Sequence, residues 1–236
     1  MCCNCETSGI DRRDLLKFGA AGLIALGLGG MPSRAYAAGG PASGLSPDEA
    51  LEALKSGNAR YVSNPELCSI DLAEKRSAVT GHQAPWATVI SCADSRVPPE
   101  LIFGGHGVGE LFVARNAGNL VDTATLGTVE YGAAVLGSPL IVILAHTSCG
   151  AVQAACDVVT RNATFPGAIG QMIQPILPSA LATRDSPGSY VNNAAMESAR
   201  RTAGHLSAAS ALLGDLVASG KLRIAPAIYD LETGVV

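Results

Sequence analysis

Three short, almost unbroken apolar runs, at residues 87–91, 111–114 and 140–145, constrain the fold of this chain more than any other feature. A run that is apolar at every position is buried on both faces, which is how a strand inside a parallel sheet reads. Between the second and third runs, Leu126, Val129, Ala133 and Leu136 mark one face of a helix. Residues 198–216 read as a further helix and 222–229 as a last strand, with Thr233 and Gly234 in a turn. Nearer the start, Ser46-Pro47-Asp48-Glu49 places Ser at an N-cap, Pro at the first helical position and Glu three residues after the cap. Leu51 and Leu54 follow on one stripe, which predicts a helix to about residue 61. Strands alternating with helices predict an α/β fold: a single domain with a central, mainly parallel β-sheet flanked by helices and joined by right-handed crossovers. Such a sheet carries its ligand site outside the carboxyl ends of its strands.

Two segments with metal-ligating chemistry fall at those ends. Cys92-Ala93-Asp94-Ser95-Arg96 follows the first run, and His146-Thr147-Ser148-Cys149-Gly150 follows the third. A catalytic zinc takes three N/S ligands and leaves a fourth position for water or substrate, and Cys92, His146 and Cys149 meet that count. A buried Cys at a strand end is more often plain packing, but two such segments converging on strand ends make the metal reading the stronger one. If the chain stays extended after Cys92, alternate residues point the same way, so Cys92, Asp94 and Arg96 share a face. Asp94 then accepts a hydrogen bond from a metal-bound water, and Arg96 holds that carboxylate ionised through a two-pronged pairing that Lys cannot reproduce. Cys149 opens a helix, where the first-turn amides favour a thiolate.

The residues around these positions resemble the β-class carbonic anhydrases. The stretches that carry the resemblance are residues 91–97 (Ser-Cys-Ala-Asp-Ser-Arg-Val), 115–119 (Arg-Asn-Ala-Gly-Asn) and 146–151 (His-Thr-Ser-Cys-Gly-Ala). The resemblance implies reversible hydration of carbon dioxide to bicarbonate and a proton, with Zn2+, one per subunit, on Cys92, His146 and Cys149. It makes Asp94 and Arg96 a catalytic dyad, with Asp94 a conditional fourth ligand that swings onto the metal in inactive forms. Gln83 and Tyr131 resemble substrate-pocket residues of the plant-like branch, with Phe112, Ala117 and Gly150 expected to line the same pocket. It further implies a homodimer or higher homo-oligomer, with Gln83 and Tyr131 acting across the interface. Two departures stand out. The Gly104–Gly107 stretch is one residue longer than the usual loop, and Val89 stands where members with an inhibitory bicarbonate site tend to carry Trp. Two thiolates and a neutral imidazole offset the charge of the dication, so its water acidifies less readily than in an all-histidine site. A zinc-bound hydroxide attacking CO2 is the expected mechanism, with activity falling on acidification. The alternatives are hydrolysis of CS2 or COS on the same site, and a non-catalytic zinc- or bicarbonate-binding protein, against which the intact Asp94 and Arg96 speak.

The N-terminus carries Asp11-Arg12-Arg13-Asp14-Leu15-Leu16-Lys17, then an apolar Gly/Ala-rich run and Ala35-Tyr36-Ala37. This reads as a twin-arginine export signal over residues 1–37, removed after Ala37, leaving a carbonic anhydrase-like domain at 38–236 and a periplasmic or secreted product. The apolar run is too short for a permanent membrane span, for which about 20 residues are needed. The formal net charge of −4, with no basic cluster, argues against a nucleic-acid partner. Of the seven cysteines, Cys2, Cys3 and Cys5 leave with the signal, Cys156 reads as core packing, and Cys68 is unassigned. His106, in the glycine-rich stretch, is the candidate proton carrier, His205 lies on a surface helix, and Trp86 is expected at an interface.

Overall fold

The computed structural model describes residues 42–64, 76–105 and 107–236. The segment read from sequence as an export signal (residues 1–37), Cys68 and His106 lie outside the described residues. In chain order the elements are α1 (Pro47–Ser63), β1 (Ala87–Cys92), α2 (Pro99–Ile102), β2 (Leu111–Asn116), α3 (Thr123–Glu130), β3 (Leu140–His146), α4 (Gly150–Arg161), α5 (Ile169–Ile173), α6 (Leu177–Thr183), α7 (Tyr190–Ala209), α8 (Ala211–Ala218) and β4 (Arg223–Tyr229). The strands form one sheet in the order β2-β1-β3-β4, and each neighbouring pair is parallel. The three apolar runs are β1, β2 and β3, each one or two residues longer than expected, and the parallel α/β architecture is the one the alternation predicts.

Burial explains why β1 and β3 read as unbroken apolar runs. Every residue of both is buried, because each is paired on both edges and covered on both faces. Side chains alternate between two cores. Ile90, Cys92, Ile141, Ile143 and Ala145 face Val152, Ile176, Ala180, Ala194 and Ala199 on the side of α4, α6 and α7. Ala87, Val89, Leu140, Val142 and Leu144 face Ala50, Leu54, Ile102 and Phe103 on the side of α1 and α2. Each large aliphatic side chain so enclosed stabilises the fold by about 1.5–3 kcal/mol relative to exposure. Trp86, expected at an interface, instead belongs to the second core, at 9% exposure.

Local signals set the helix ends. Ser46 and Glu49 form the anticipated capping box, and α1 runs on to Ser63. The helix expected at 198–216 is two helices. The first starts earlier, where the Ser189 side chain accepts from the Asn192 amide. Ser210 then adopts an extended backbone, ends α7, caps α8 through the Leu213 amide and donates to Glu130 Oε1 at 2.6 Å. The face marked by Leu126 to Leu136 is also split, because α3 widens into a π-helical turn at Tyr131–Val135. Gly132 sits in that turn, where a Cβ would come within 2.7 Å of Thr88 Oγ1, so the close approach to β1 requires glycine. Among the described residues no helix is long and apolar enough to cross a membrane.

Candidate metal centre

Parallel pairing brings the two ligating segments to one end of the sheet. Cys92 closes β1 and pairs with Asn116 at the end of β2, while His146 closes β3 opposite Tyr229. Both strands therefore deliver a donor at their carboxyl ends. Beyond His146 the chain turns through Ser148, whose φ of 55° is left-handed, and Cys149 stands at the N-cap of α4. The donor atoms of Cys92, His146 and Cys149 all lie within 4.8 Å of one another, and all three residues are buried.

The geometry fits a tetrahedral ion. The Cys92 and Cys149 sulfurs are 3.9 Å apart, within hydrogen-bond reach and not joined as a disulfide. A tetrahedron built on zinc–sulfur bonds of about 2.3 Å has an edge of about 3.8 Å. His146 supplies the third donor in a fixed orientation: Nδ1 lies 2.9 Å from the Thr147 carbonyl and donates to it, which leaves the lone pair on Nε2. Nε2 is buried and has no hydrogen-bond partner. A fully buried imidazole nitrogen left bare is costly unless something electrophilic meets it. The hydrogen bond from Cys149 lowers the pKa of Cys92, helped by His146 and the Gly118 amide against the effect of burial, while the same bond and burial raise that of Cys149. The first thiolate is thus favoured by the fold, and a bound cation would draw off the second proton.

The loop after Cys92 differs from the expected extended face. The strand ends at Cys92, and the chain turns at Ser95 and Arg96. Asp94 and Arg96 meet because the Asp94 side chain accepts from the Arg96 backbone amide at 3.0 Å, a local turn of the kind Asp favours. The guanidinium then grips both carboxylate oxygens, Nε to Oδ1 at 2.9 Å and Nη2 to Oδ2 at 2.7 Å. These bonds to Arg96 hold the Asp94 carboxyl well below the usual range, against a smaller effect of burial. Asp94 Oδ2 is 3.8 Å from His146 Nε2, beside the three donors but not among them.

Backbone contacts fix the rest of the centre. Arg115 donates to the carbonyls of Cys92 and Asp94 at 3.0 and 2.6 Å, spanning the ligand loop from β2. The Gly118 amide donates to Cys92 Sγ at 3.3 Å. Its φ is +84°, and a Cβ there would meet Ile176 at 3.0 Å and Ala151 at 3.2 Å. Asn192 on α7 accepts from the Ser148 amide at 2.9 Å. Sequence reasoning missed the last two contacts: a glycine amide carries no side-chain signal, and Asn192 lies 44 residues from its partner.

The expected pocket residues divide. Ala117 follows Asn116 at the centre, and Gly150 follows Cys149, with open space where its Cβ would stand. Phe112 and Tyr131 pack together, ring centroids 6.1 Å apart. They sit elsewhere, for Phe112 pairs with Thr88 whereas Cys92 pairs with Asn116. Four residues of strand place them about 13 Å from the level of Cys92. Gln83 is half-buried ahead of β1.

Comparison with known proteins agrees with this geometry. The family model described as carbonic anhydrase matches residues 87–236. The chain is 37% identical over 190 residues to carbonic anhydrase 2 of Mycobacterium tuberculosis, covering 80% of this chain and 91% of that one. It is 49% identical over 78 residues to a carbonic anhydrase of Pseudomonas aeruginosa, covering 30% and 35%. Among solved structures it resembles Coccomyxa β-carbonic anhydrase in complex with acetazolamide, with a TM-score of 0.61 and 26% identity over 78% of this chain and 84% of that one. It shares its fold with the β-carbonic anhydrase CafA of Aspergillus fumigatus, with a TM-score of 0.62 and 23% identity over 78% and 88%. The chain belongs to the carbonic anhydrase family, in its β class, and is an enzyme of that family. Its substrate is accordingly a small molecule, and its Cys-His-Cys group is suited to a metal ion.

Proposed function

We propose that the chain catalyses the reversible hydration of carbon dioxide at one zinc ion per subunit, held by Cys92, His146 and Cys149. The observation that carries this reading is the bare, buried His146 Nε2 facing two sulfurs at tetrahedral spacing, with Asp94 3.8 Å away. The chemistry a zinc ion supplies there is a water ionised at modest pH, whose oxygen adds to carbon dioxide to give bicarbonate and is returned in the reverse reaction. Asp94 accepts the hydrogen bond of that water and fixes which lone pair faces the substrate. Arg96 keeps Asp94 ionised and, by occupying both its oxygens, holds the carboxylate off the metal in the active form. Two thiolates and a neutral imidazole leave the site without net charge, which makes the placement of Asp94 matter more than in an all-histidine site. Ala117 and Gly150 adjoin the metal-ligating segments, and the open space at the Gly150 Cβ position would leave room for a small substrate beside a bound ion. Gln83, Phe112 and Tyr131 belong to the pocket of a second copy, since strand register separates Phe112 from the metal centre of its own chain. Export of the folded, zinc-loaded domain by the twin-arginine route, with cleavage after Ala37, is part of the same proposal and rests on the sequence of residues 1–37.

The test is stopped-flow hydration of CO2 by zinc-loaded protein beside an Asp94→Asn variant. Asn keeps the shape but removes the charge, so turnover is expected to fall by about 100-fold or more while zinc content stays at one per chain. Equal rates for the two proteins would remove Asp94 from the mechanism. A zinc-loaded wild type no faster than buffer would overturn the proposed activity.

A further inference from the structure

The contact between Asn192 and the metal-ligand turn has a role that neither the family resemblance nor the chemistry of the centre assigns. His146 and Cys149 are separated by two residues, and the chain passes between them from a strand into a helix. The ends of this passage are well held. The Thr147 amide donates to the Tyr229 carbonyl at 2.9 Å, and Thr147 Oγ1 accepts from Leu231 at 3.0 Å, so the strand side is tied to β4 and its following turn. Cys149 begins α4, whose Gln153 amide donates back to its carbonyl at 2.9 Å. Ser148 is the joint. It is exposed, its side chain makes no hydrogen bond among the described residues, and its φ of 55° lies where a residue with a Cβ is seldom found. Its amide is met by Asn192 Oδ1 at 2.9 Å.

We infer that Asn192 is a positioning residue for the metal centre, holding the Ser148 peptide in its left-handed turn so that the Cys149 sulfur stays aligned with His146 Nε2. The inference rests on the zinc reading above. Asn192 is well placed for this task because it belongs to a rigid support. It lies in the first turn of α7, where its own amide is capped by Ser189, and α7 packs through buried Ala194, Ala195 and Ala199 against β3 and β4. The same helix therefore braces the strand that carries His146 and the turn that presents Cys149. Without the acceptor, Ser148 relaxes toward the right-handed or extended regions, and the Cys149 thiolate departs from the tetrahedral arrangement without any ligand being lost.

Metal release separates this role from a general contribution to folding. Zinc-loaded protein is mixed with a chromophoric chelator, and the release rate is compared for wild type, Asn192→Ala, Asn192→Asp and Asn193→Ala. Loss of a group that orients a ligand costs about 10–100-fold in metal retention, so Asn192→Ala is expected to release zinc at least 10-fold faster. Asn192→Asp keeps an acceptor oxygen in the same place and should release at the wild-type rate. Asn193→Ala removes a neighbouring bond of the same turn, from Nδ2 to the Pro187 carbonyl at 2.9 Å, and should also match wild type. The cobalt-substituted alanine variant should show altered visible bands, which report ligand geometry directly. Equal release from Asn192→Ala and wild type overturns the inference, as does equally fast release from Asn192→Asp or Asn193→Ala. If the alanine variant does not fold, Asn192→Ser, too short to reach Ser148, takes its place with the same expectations. A wild type that retains zinc but hydrates no CO2 overturns the proposed activity and leaves this inference standing. Unchanged release from Asn192→Ala in an active enzyme overturns this inference alone.

Discussion

Gly118 shows how much of the metal centre depends on backbone. Its amide reaches Cys92 Sγ only because the chain there is left-handed and no Cβ intervenes between it and the Ile176 and Ala151 side chains. Gly118→Ala should therefore lose about 1–3 kcal/mol of stability, read as a lower midpoint in thermal unfolding, and should bind zinc more weakly. An alanine variant with wild-type unfolding and zinc affinity would show that the neighbouring side chains give way freely. At this scale the grouping of Cys92, His146 and Cys149 was legible in the sequence, because Cys and His announce their chemistry. How Asp94 and Arg96 meet was not. Period-2 alternation predicted the right pair for the wrong reason, since β1 stops at Cys92 and the pairing comes from a turn closed by the Asp94 side chain. Residues that act through backbone groups, such as Gly118 and Asn192, leave no such mark.

Among the elements, β4 ties the metal-ligand turn to the sheet. Tyr229 pairs with His146, accepts from the Thr147 amide and places its hydroxyl 3.3 Å from that of Tyr61. Burial, with the Tyr61 hydroxyl, pushes the Tyr229 pKa up to about 12, and burial with nearby Cys156 does the same for Tyr190. A raised pKa in the folded state means that the folded protein holds the phenolic proton more tightly than the unfolded chain. The corresponding stability is complete below about pH 10, the ordinary tyrosine value, and is lost as the pH climbs through about 12. In a near-ultraviolet titration of the full chain, two of the five tyrosines should ionise late, together with alkaline unfolding. Five phenols titrating together near the ordinary value in folded protein would contradict the burial described for these two. The strands themselves were legible because complete burial leaves continuous apolar runs, whereas helix breaks were not. Ser210 interrupts an otherwise helical stretch through hydrogen bonds to Leu213 and Glu130, and the latter is 80 residues away in sequence.

At the level of the whole molecule, a metal ion on Cys92, His146 and Cys149 would fasten the two central strands, β1 and β3, to the start of α4, the helix that covers one core. Fold class and the grouping of the three donors could be read before any coordinates, because parallel topology points every strand the same way and puts the residues that follow neighbouring strands together. The location of Phe112 and Tyr131 could not, since it depends on the register of β2 against β1 and, in the proposed function, on a second copy of the chain. The account stands on convergence of Cys92, His146 and Cys149 upon one ion, and X-ray absorption at the zinc edge tests it most directly. Zinc-loaded protein should show two sulfurs at about 2.3 Å and one imidazole nitrogen at about 2.0–2.1 Å, with one further light atom, and Cys149→Ser should reduce the sulfur count to one. A shell of nitrogen and oxygen alone, or two sulfurs that persist in the serine variant, would contradict it.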